Sequence, residues 1–339
     1  MSNKTIRNFN SLFGRLIQRQ ESSIVLALVL YMIIVSFVNP TFISSANQFN
    51  VLRSSGFTLI TVVGMTFILI TGGLDLSVGS VLALGGVITG IACRAGLPVS
   101  IAIMLGILMG FSIGVLNGFI IVKAGIPPLI VTLGMQYVAK GLVSVLTKGV
   151  PIYPLPNTFK AIERFRFLGF PAVVIFAITA AIAGHIILSS TEFGRSIYAL
   201  GGNEEAARIS GIRTKRTKLW VYIITSTLAA LAGIFMSARL GSAEAAAGTG
   251  YELTVICGVI IGGTSTFGGT GSIFGSVLGA LFMEELTNSL TLMRISVYWQ
   301  NLVVGTILIL AVLLDQYKRN LIMRRSIKNT GSGSTESGN

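Results

Sequence analysis

Charge is scarce in this chain. Only 11% of its 339 residues are Asp, Glu, Lys or Arg, against roughly 25% in soluble proteins, which excludes an ordinary water-soluble domain. Histidine occurs once, at 185, and cysteine twice, at 93 and 257. With no partner at ligand spacing, His185 offers no metal site and reads as a packed or interfacial side chain. Cys93 and Cys257 lie inside apolar runs and read as small buried hydrophobes, not as a disulfide. No Gly-Lys dipeptide occurs anywhere, so the glycine cluster at 268–272 is no phosphate loop and this polypeptide binds no ATP through a Walker motif. Neither a Ser/His/Asp set nor a well-placed carboxylate pair stands out, which argues against an intramembrane enzyme.

Apolar side chains make up 52% of the residues and the mean hydropathy is +0.81. They collect into ten blocks, at about 24–38, 55–71, 76–93, 98–122, 127–147, 169–189, 218–239, 251–267, 271–291 and 297–315. About 20 residues of helix cross the hydrocarbon, so most blocks fit and the first, second and eighth are short. A backbone in lipid must satisfy its own hydrogen bonds, and the blocks lack the alternation of barrel strands. The expected class is an all-α polytopic membrane protein of about ten transmembrane helices.

The net charge of +13 is spread in a way that speaks for topology and against nucleic acid. Lys4, Arg7, Arg15 and Arg19 precede the first block, and Arg195, Arg208, Arg213, Lys215, Arg216 and Lys218 lie between the sixth and seventh. Lys318, Arg319, Arg324, Arg325 and Lys328 follow the tenth. Ten crossings put these three regions on one side, and the positive-inside tendency makes that side, with both termini, cytoplasmic. With Lys123, sixteen basic residues lie inside against eight outside. The expected organisation is a cytoplasmic segment 1–23, a transmembrane domain 24–315 with a cytoplasmic loop at 190–217, and a basic then disordered tail 316–339. The polar lead and the absence of a small-x-small site after the first block speak against a cleaved signal peptide.

Forty glycines are many for a helical chain, since each weakens a soluble helix by about 1 kcal/mol relative to alanine. In a bilayer small residues let backbones approach, and Gly106, Gly110 and Gly114 on one face of the fourth block read as packing. The pairs Gly72-Gly73 and Gly262-Gly263 each end a block, and Asp75 or Thr264, Ser265 and Thr266 then stand where the next helix needs a cap. Asp75 has two readings, a cap facing water and a part in gating. The segments 70–86 and 260–280 resemble one another at an offset near 190, which suggests an internal parallel repeat of blocks one to four in blocks seven to ten.

Polar residues inside the blocks are the remaining candidates, because a charge at the bilayer centre costs about 2.5–3.5 kcal/mol even on the gentler scale. Thr132, Gln136 and Lys140 form one stripe of the fifth block at four-residue spacing, which faces a water-filled path or another helix. Glu284, Glu285 and Asn288 in block nine, and Tyr298, Gln300 and Asn301 in block ten, pose the same choice. Glu244 and Glu252 flank a small-residue loop expected at the outer face, where solvation accounts for them.

Between blocks six and seven runs GGNEEAARISGI, residues 201–212. Asn203 can cap a helix whose first turn carries Glu204 and Glu205, favourable beside the helix dipole, and Gly211 can stop it. A helix of about two turns is marginal alone in water and needs something to pack against. Ala206 and Ala207 offer a close-approach surface, with Arg208 beside them.

Glu205-Ala206-Ala207 followed three residues later by Gly211 resembles the loop by which bacterial ABC importer permeases dock on their ATPase. With GMTFILITGGLDLSVGS (64–80), PPLIVTLG (127–134), FGRSIYALGGNEEAARISGI (193–212), ARLGSAEAAAGTGYEL (238–253) and VIIGGTSTFGGTGSIFG (259–275), the chain resembles the permease subunits of ribose, galactose and autoinducer importers over about 24–315. Lys140-Gly141 stands where the family pattern has Arg-Gly. The resemblance implies a multi-pass subunit of the bacterial cytoplasmic membrane that pairs with a second copy or a paralogue. It also implies an ATPase pair below, carrying ATP and Mg while this chain binds no cofactor, and a binding protein that delivers a sugar from outside. An ion-coupled secondary transporter is the alternative.

Overall fold

A computed structural model describes the backbone of residues 20–332 and the side chains of 22–317 except that of 245. Most of the expected N-terminal segment, the basic side chains after 317 and residues 333–339 lie outside the described residues. Among the described residues thirteen α-helices follow one another: α1 Gln20–Val38, α2 Ser45–Ile70, α3 Val78–Arg94, α4 Val99–Ala124, α5 Pro128–Thr147, α6 Asn157–Arg164, α7 Ala172–Ser190, α8 Glu192–Gly202, α9 Glu204–Ile209, α10 Thr214–Leu240, α11 Tyr251–Ile261, α12 Ile273–Leu292 and α13 Val297–Ser332. Among the described residues the only strands are the two-residue β1 Arg166–Phe167 and β2 Phe170–Pro171, a small antiparallel hairpin. The chain is an all-α multi-pass membrane protein. Among the described residues six helices are long and apolar enough to cross a membrane, and three further apolar helices are shorter.

All ten apolar blocks are helical, with α6, α8 and α9 as short connectors. Hydropathy misplaces one start. α2 begins ten residues before its apolar block, because Ser44 accepts a capping bond from Asn47 N (3.3 Å) and Asn47 and Gln48 donate to the Phe42 carbonyl (2.8 and 3.0 Å). A polar first turn held this way is helical without being oily. Cys93 and Cys257 are buried and unpaired.

α10 runs through the centre, packed on α2, α3 and α4. The contact is backbone on backbone. A Cβ on Gly106, Gly110, Gly114 or Gly118 of α4 would strike α10 or α3, and one on Gly64 or Gly85 would strike Thr225 or Ala230 of α10. Gly233 of α10 in turn lies against the Leu82 carbonyl of α3. Small residues therefore set the interhelical distance, as expected for the α4 ridge.

α10 packs on α3, and α1 packs on α12. α11 and α12 also pack on each other.

The segment between α10 and α11 departs most from expectation. After Gly241, which ends α10 in the left-handed region (φ 67°), the chain descends along α3. The 3₁₀ turn Ala245–Gly248 lies so close to α3 that neither Gly79 nor Gly248 has room for a Cβ. α11 therefore starts at mid-depth, where the Tyr251 hydroxyl donates to Phe57 O (2.9 Å) and meets Thr61 Oγ1 (3.0 Å) halfway along α2. Glu252, expected in solvent, is 8% exposed, and Glu244 is half-buried. Length is the physical reason, since the eighth block is helical for eleven residues only, too few to reach the surface.

Replacing Gly110 by Ile should cost about 1–3 kcal/mol of overpacking and lower the melting temperature of the purified chain. Gly134→Ile, where a Cβ meets nothing within 4 Å, should leave it unchanged. Thermal unfolding followed by size-exclusion chromatography in detergent compares the two.

Candidate functional site

The charged run folds as its caps dictate. Asn203 Oδ1 accepts from Ala206 N at 2.9 Å and opens α9. Ile212 N donating to Ala207 O (3.0 Å), with Gly211 at φ 84°, closes it, a Schellman ending that favours glycine. Glu205 and Arg208 form a two-pronged ion pair (3.0 and 2.5 Å), and Glu204 pairs with Lys218 of α10 at 2.6 Å. The Arg208 hydrogen bond holds the exposed Glu205 carboxyl below the usual glutamate range. The two alanines separate: Ala207 is buried against the protein, whereas Ala206 is exposed. Ile209, absent from the candidate residues, completes the outward face at 76% exposed. Its signal was an apolar side chain one turn after Glu205.

α8 joins this loop to the helix breaks. Gly201 presses on the Ile70 carbonyl at the end of α2 and on Gly269 N, and Gly269 N itself donates to Ile70 O at 2.8 Å. Tyr198 of α8 donates to Gly271 O at 2.8 Å. A Cβ on Gly268, at φ 85°, would strike Gly201 O and Gly72 N. Gly72 and Gly73, the run 268–271 and Gly201 are thus one junction.

Both breaks have the same ending. Gly73 N donates to Ile68 O (3.1 Å) with Gly72 at φ 75°, and Thr264 N donates to Val259 O (3.2 Å) with Gly263 at φ 91°. Gly262 keeps a helical φ of −63° but backs directly onto Gly275 of α12. The caps differ from expectation. α12 is capped by Ser272, whose Oγ accepts from Gly275 N (3.0 Å). Ser265 Oγ, Thr266 N and Thr266 Oγ1 instead donate to Asp315 Oδ2 of α13 at 3.1, 3.0 and 3.0 Å.

Asp75 does not face water. It is fully buried, and its Oδ1 accepts from Ser77 N (2.8 Å) and Ser77 Oγ (2.6 Å) while Oδ2 has no partner. Asn117 of α4 donates to Ser77 Oγ at 3.0 Å.

The α5 stripe splits by depth. Thr132 is buried, its Oγ1 accepting from Leu76 N (3.2 Å) and donating to Leu74 O (3.4 Å), so it holds the α2–α3 break. Gln136 donates to Glu252 Oε1 at 2.9 Å, leaving Oε2 without a partner. Lys140 is exposed.

A cavity of about 420 Å³ lies between α11, α12 and α13, within the 300–1,000 Å³ typical of small-molecule sites. Glu284, Thr254, Thr287, Gln300 and Asn301 supply its polar wall and Tyr251 an aromatic one. Thr58 of α2 donates to Glu284 Oε1 at 2.5 Å and fixes the carboxylate. Gln300 spends its amide on Ile295 O (3.0 Å). Asn288 lies outside the cavity lining, its buried Nδ2 unpartnered. Most candidates read from the sequence therefore fall into two places, the junction at the α9 end and the polar chamber, whereas Gln136, Lys140 and Asn288 belong to neither.

Membrane helices broken at two glycine pairs, α8 pressed against the end of α2 and the run 268–271 that leads into α12, and a hydroxyl- and carboxylate-lined chamber suit a membrane permease. Residues 47–312 match the family described as branched-chain amino acid transport system / permease component, and the chain belongs to that family. It is 41% identical over 295 residues to the ribose import permease protein RbsC of Bacillus subtilis, covering 86% of this chain and 92% of that one. It is 40% identical over 322 residues to RbsC of Haemophilus influenzae, covering 94% and 98%. Over 276 residues it is 37% identical to the D-allose transport system permease protein AlsC of Escherichia coli, covering 81% and 85%. No solved structure matches it.

Removing the cap by Asn203→Ala should cost about 1 kcal/mol and speed exchange of the Ala206 amide about fivefold. Hydrogen exchange by mass spectrometry reads this directly.

Proposed function

We propose that this chain is the membrane permease subunit of a bacterial ABC importer for a monosaccharide or a related small polyhydroxylated solute. It crosses the cytoplasmic membrane about ten times with both termini inside, and pairs with a second copy or a paralogue. A separate ATPase pair binds ATP and Mg, and an extracytoplasmic binding protein delivers the solute; this chain binds no cofactor. The observation that carries the reading is the docking of α8 on the end of α2 and on the run that leads into α12, through Gly201 against Ile70 and Gly269. The ribose and allose transport names of the relatives favour a sugar over an amino acid.

The outward face of α9, with Glu205, Ala206, Arg208 and Ile209, meets the ATPase. Seating Ile209 in a groove contributes about 2 kcal/mol. Closure of the ATPase pair then displaces α9, Asn203 passes the displacement to α8, and Gly201 passes it to the Gly72-Gly73 and Gly262-Gly263 breaks together. The chamber holds the solute during the change. The Glu284 carboxylate and the Asn301 amide suit vicinal hydroxyls, and the Tyr251 ring suits a pyranose or furanose face. Thr132 and Gln136 act on the path from behind, by fixing the α2–α3 break and Glu252.

Ile209→Asp should weaken ATPase-subunit binding about thirtyfold and stop uptake, with folding intact; Glu205→Lys should uncouple in the same way. Pull-down titration and ATPase assay of the reconstituted complex test this, and full coupling in both variants would remove α9 from the contact. Glu284→Gln should lower labelled-sugar uptake at least about tenfold while basal ATPase activity persists. Unchanged uptake places the path elsewhere.

The buried carboxylates Asp75 and Glu252, each with an unpartnered oxygen, are what an ion-coupled carrier would use. Uptake that collapses with the proton or sodium gradient while ATP is maintained supports that second reading.

A further inference from the structure

The hairpin between α6 and α7 displays apolar side chains where water would be expected. Phe165, Phe167 and Phe170 are all exposed, and Leu168 at the tip is 83% exposed. The turn is built from Leu168 at φ 52° and Gly169 at φ 83°, a two-residue connection that suits Asn-Gly. A leucine in the left-handed region is unusual for a bulky residue, and here it points a large apolar group outward at the tip.

The surrounding charge has one sign. Arg164 and Arg166 flank the aromatic residues, Arg166 stacks 4.8 Å over the Phe49 ring at the start of α2, and no acidic residue occurs from 164 to 191. Glu163 is spoken for by Arg53.

Position supplies the third observation. Phe165 O accepts from Ala172 N (3.1 Å), so the hairpin is hinged on the first turn of α7. The exposed Phe176, Ile178, Ile182 and Ile186 run down α7 from there. The hairpin thus continues the lipid-facing side of a membrane helix at the end opposite α9. Aromatic rings with arginines at the end of a span match the composition of the bilayer interface.

We infer that the hairpin Phe165–Phe170 is a membrane-interface anchor, with Leu168 and the phenylalanines seated in the headgroup and upper acyl region and Arg164 and Arg166 on anionic phospholipid headgroups. It fixes the height and tilt of α7 in the bilayer and, through the buried Phe159 of α6, that of the loop packed on α10.

The test places one fluorophore at the tip. Leu168→Trp is made in the full chain with Trp220 and Trp299 replaced by Phe, and reconstituted in nanodiscs of phosphatidylcholine with phosphatidylglycerol. Phe176→Trp calibrates the lipid signal. Emission from position 168 should be quenched by lipids brominated on their acyl chains and resist aqueous acrylamide. Brominated phosphatidylglycerol should quench more than the zwitterionic lipid, and each of Arg164→Gln and Arg166→Gln should reduce that preference about fivefold. Full acrylamide quenching without a bromolipid effect overturns the anchor. Shielding from both quenchers that appears only when an extracytoplasmic binding protein is added overturns it too, in favour of protein docking.

Discussion

Where there is no room for a Cβ, two helix backbones touch, and that happens along much of α10. Gly64 of α2, Gly85 of α3 and the Gly106–Gly118 ridge of α4 all close on it. In lipid no hydrophobic gain drives helices together, so the close approach itself, with its dispersion contacts, holds the bundle. The rest of the architecture hangs on that contact. With α10 fixed, α2 and α3 are placed on either side of it, and the break between them at Gly72-Gly73 sits where α8 can reach it.

Packing between helices distant in sequence makes the early and late parts of the chain interdependent. α10 supports α3 while α1 supports α12. The breaks end alike, with a glycine in the left-handed region and a bond back to the preceding turn, and the end of α2 meets the run 268–271 and α8 within one glycine-rich junction. Rigid contacts of this type transmit displacement because a backbone has no rotamer in which to absorb it. A short helix at the surface is thereby tied to two points at the roots of the transmembrane helices.

The positions of the helices were legible because apolar blocks and glycine stops are local properties. The caps of α9 were legible for the same reason: Asn203 and Gly211 act within four residues. Depth was not. Glu252 follows a run of alanine and glycine that hydropathy assigns to a surface loop, and only its close packing on Gly79 carries it to mid-membrane. Thr132 and Gln136 share a helix face, yet one turns to the α2–α3 break and the other to Glu252, because their neighbours come from distant segments. Ser265 and Thr266 looked like caps, but Asp315, some fifty residues later, claims their hydroxyls. Gln300, Glu284 and Asn301 do meet in one chamber, as polar residues in adjacent oily helices tend to, whereas Asn288 on the same helix as Glu284 does not.

The late start of α11 has a thermodynamic consequence. Because the chain from Gly241 to Gly250 descends to mid-depth, the barrier of the permease proposed above would be closed there by Tyr251 with Thr61 and by Gln136 with Glu252 rather than by a full thickness of hydrocarbon side chains. Such a closure opens by exchanging hydrogen-bond partners and uncovers little apolar surface. Its heat-capacity change is correspondingly small, so the balance between its closed and open forms varies with temperature almost linearly, without the curvature that burial of a greasy plug would impose.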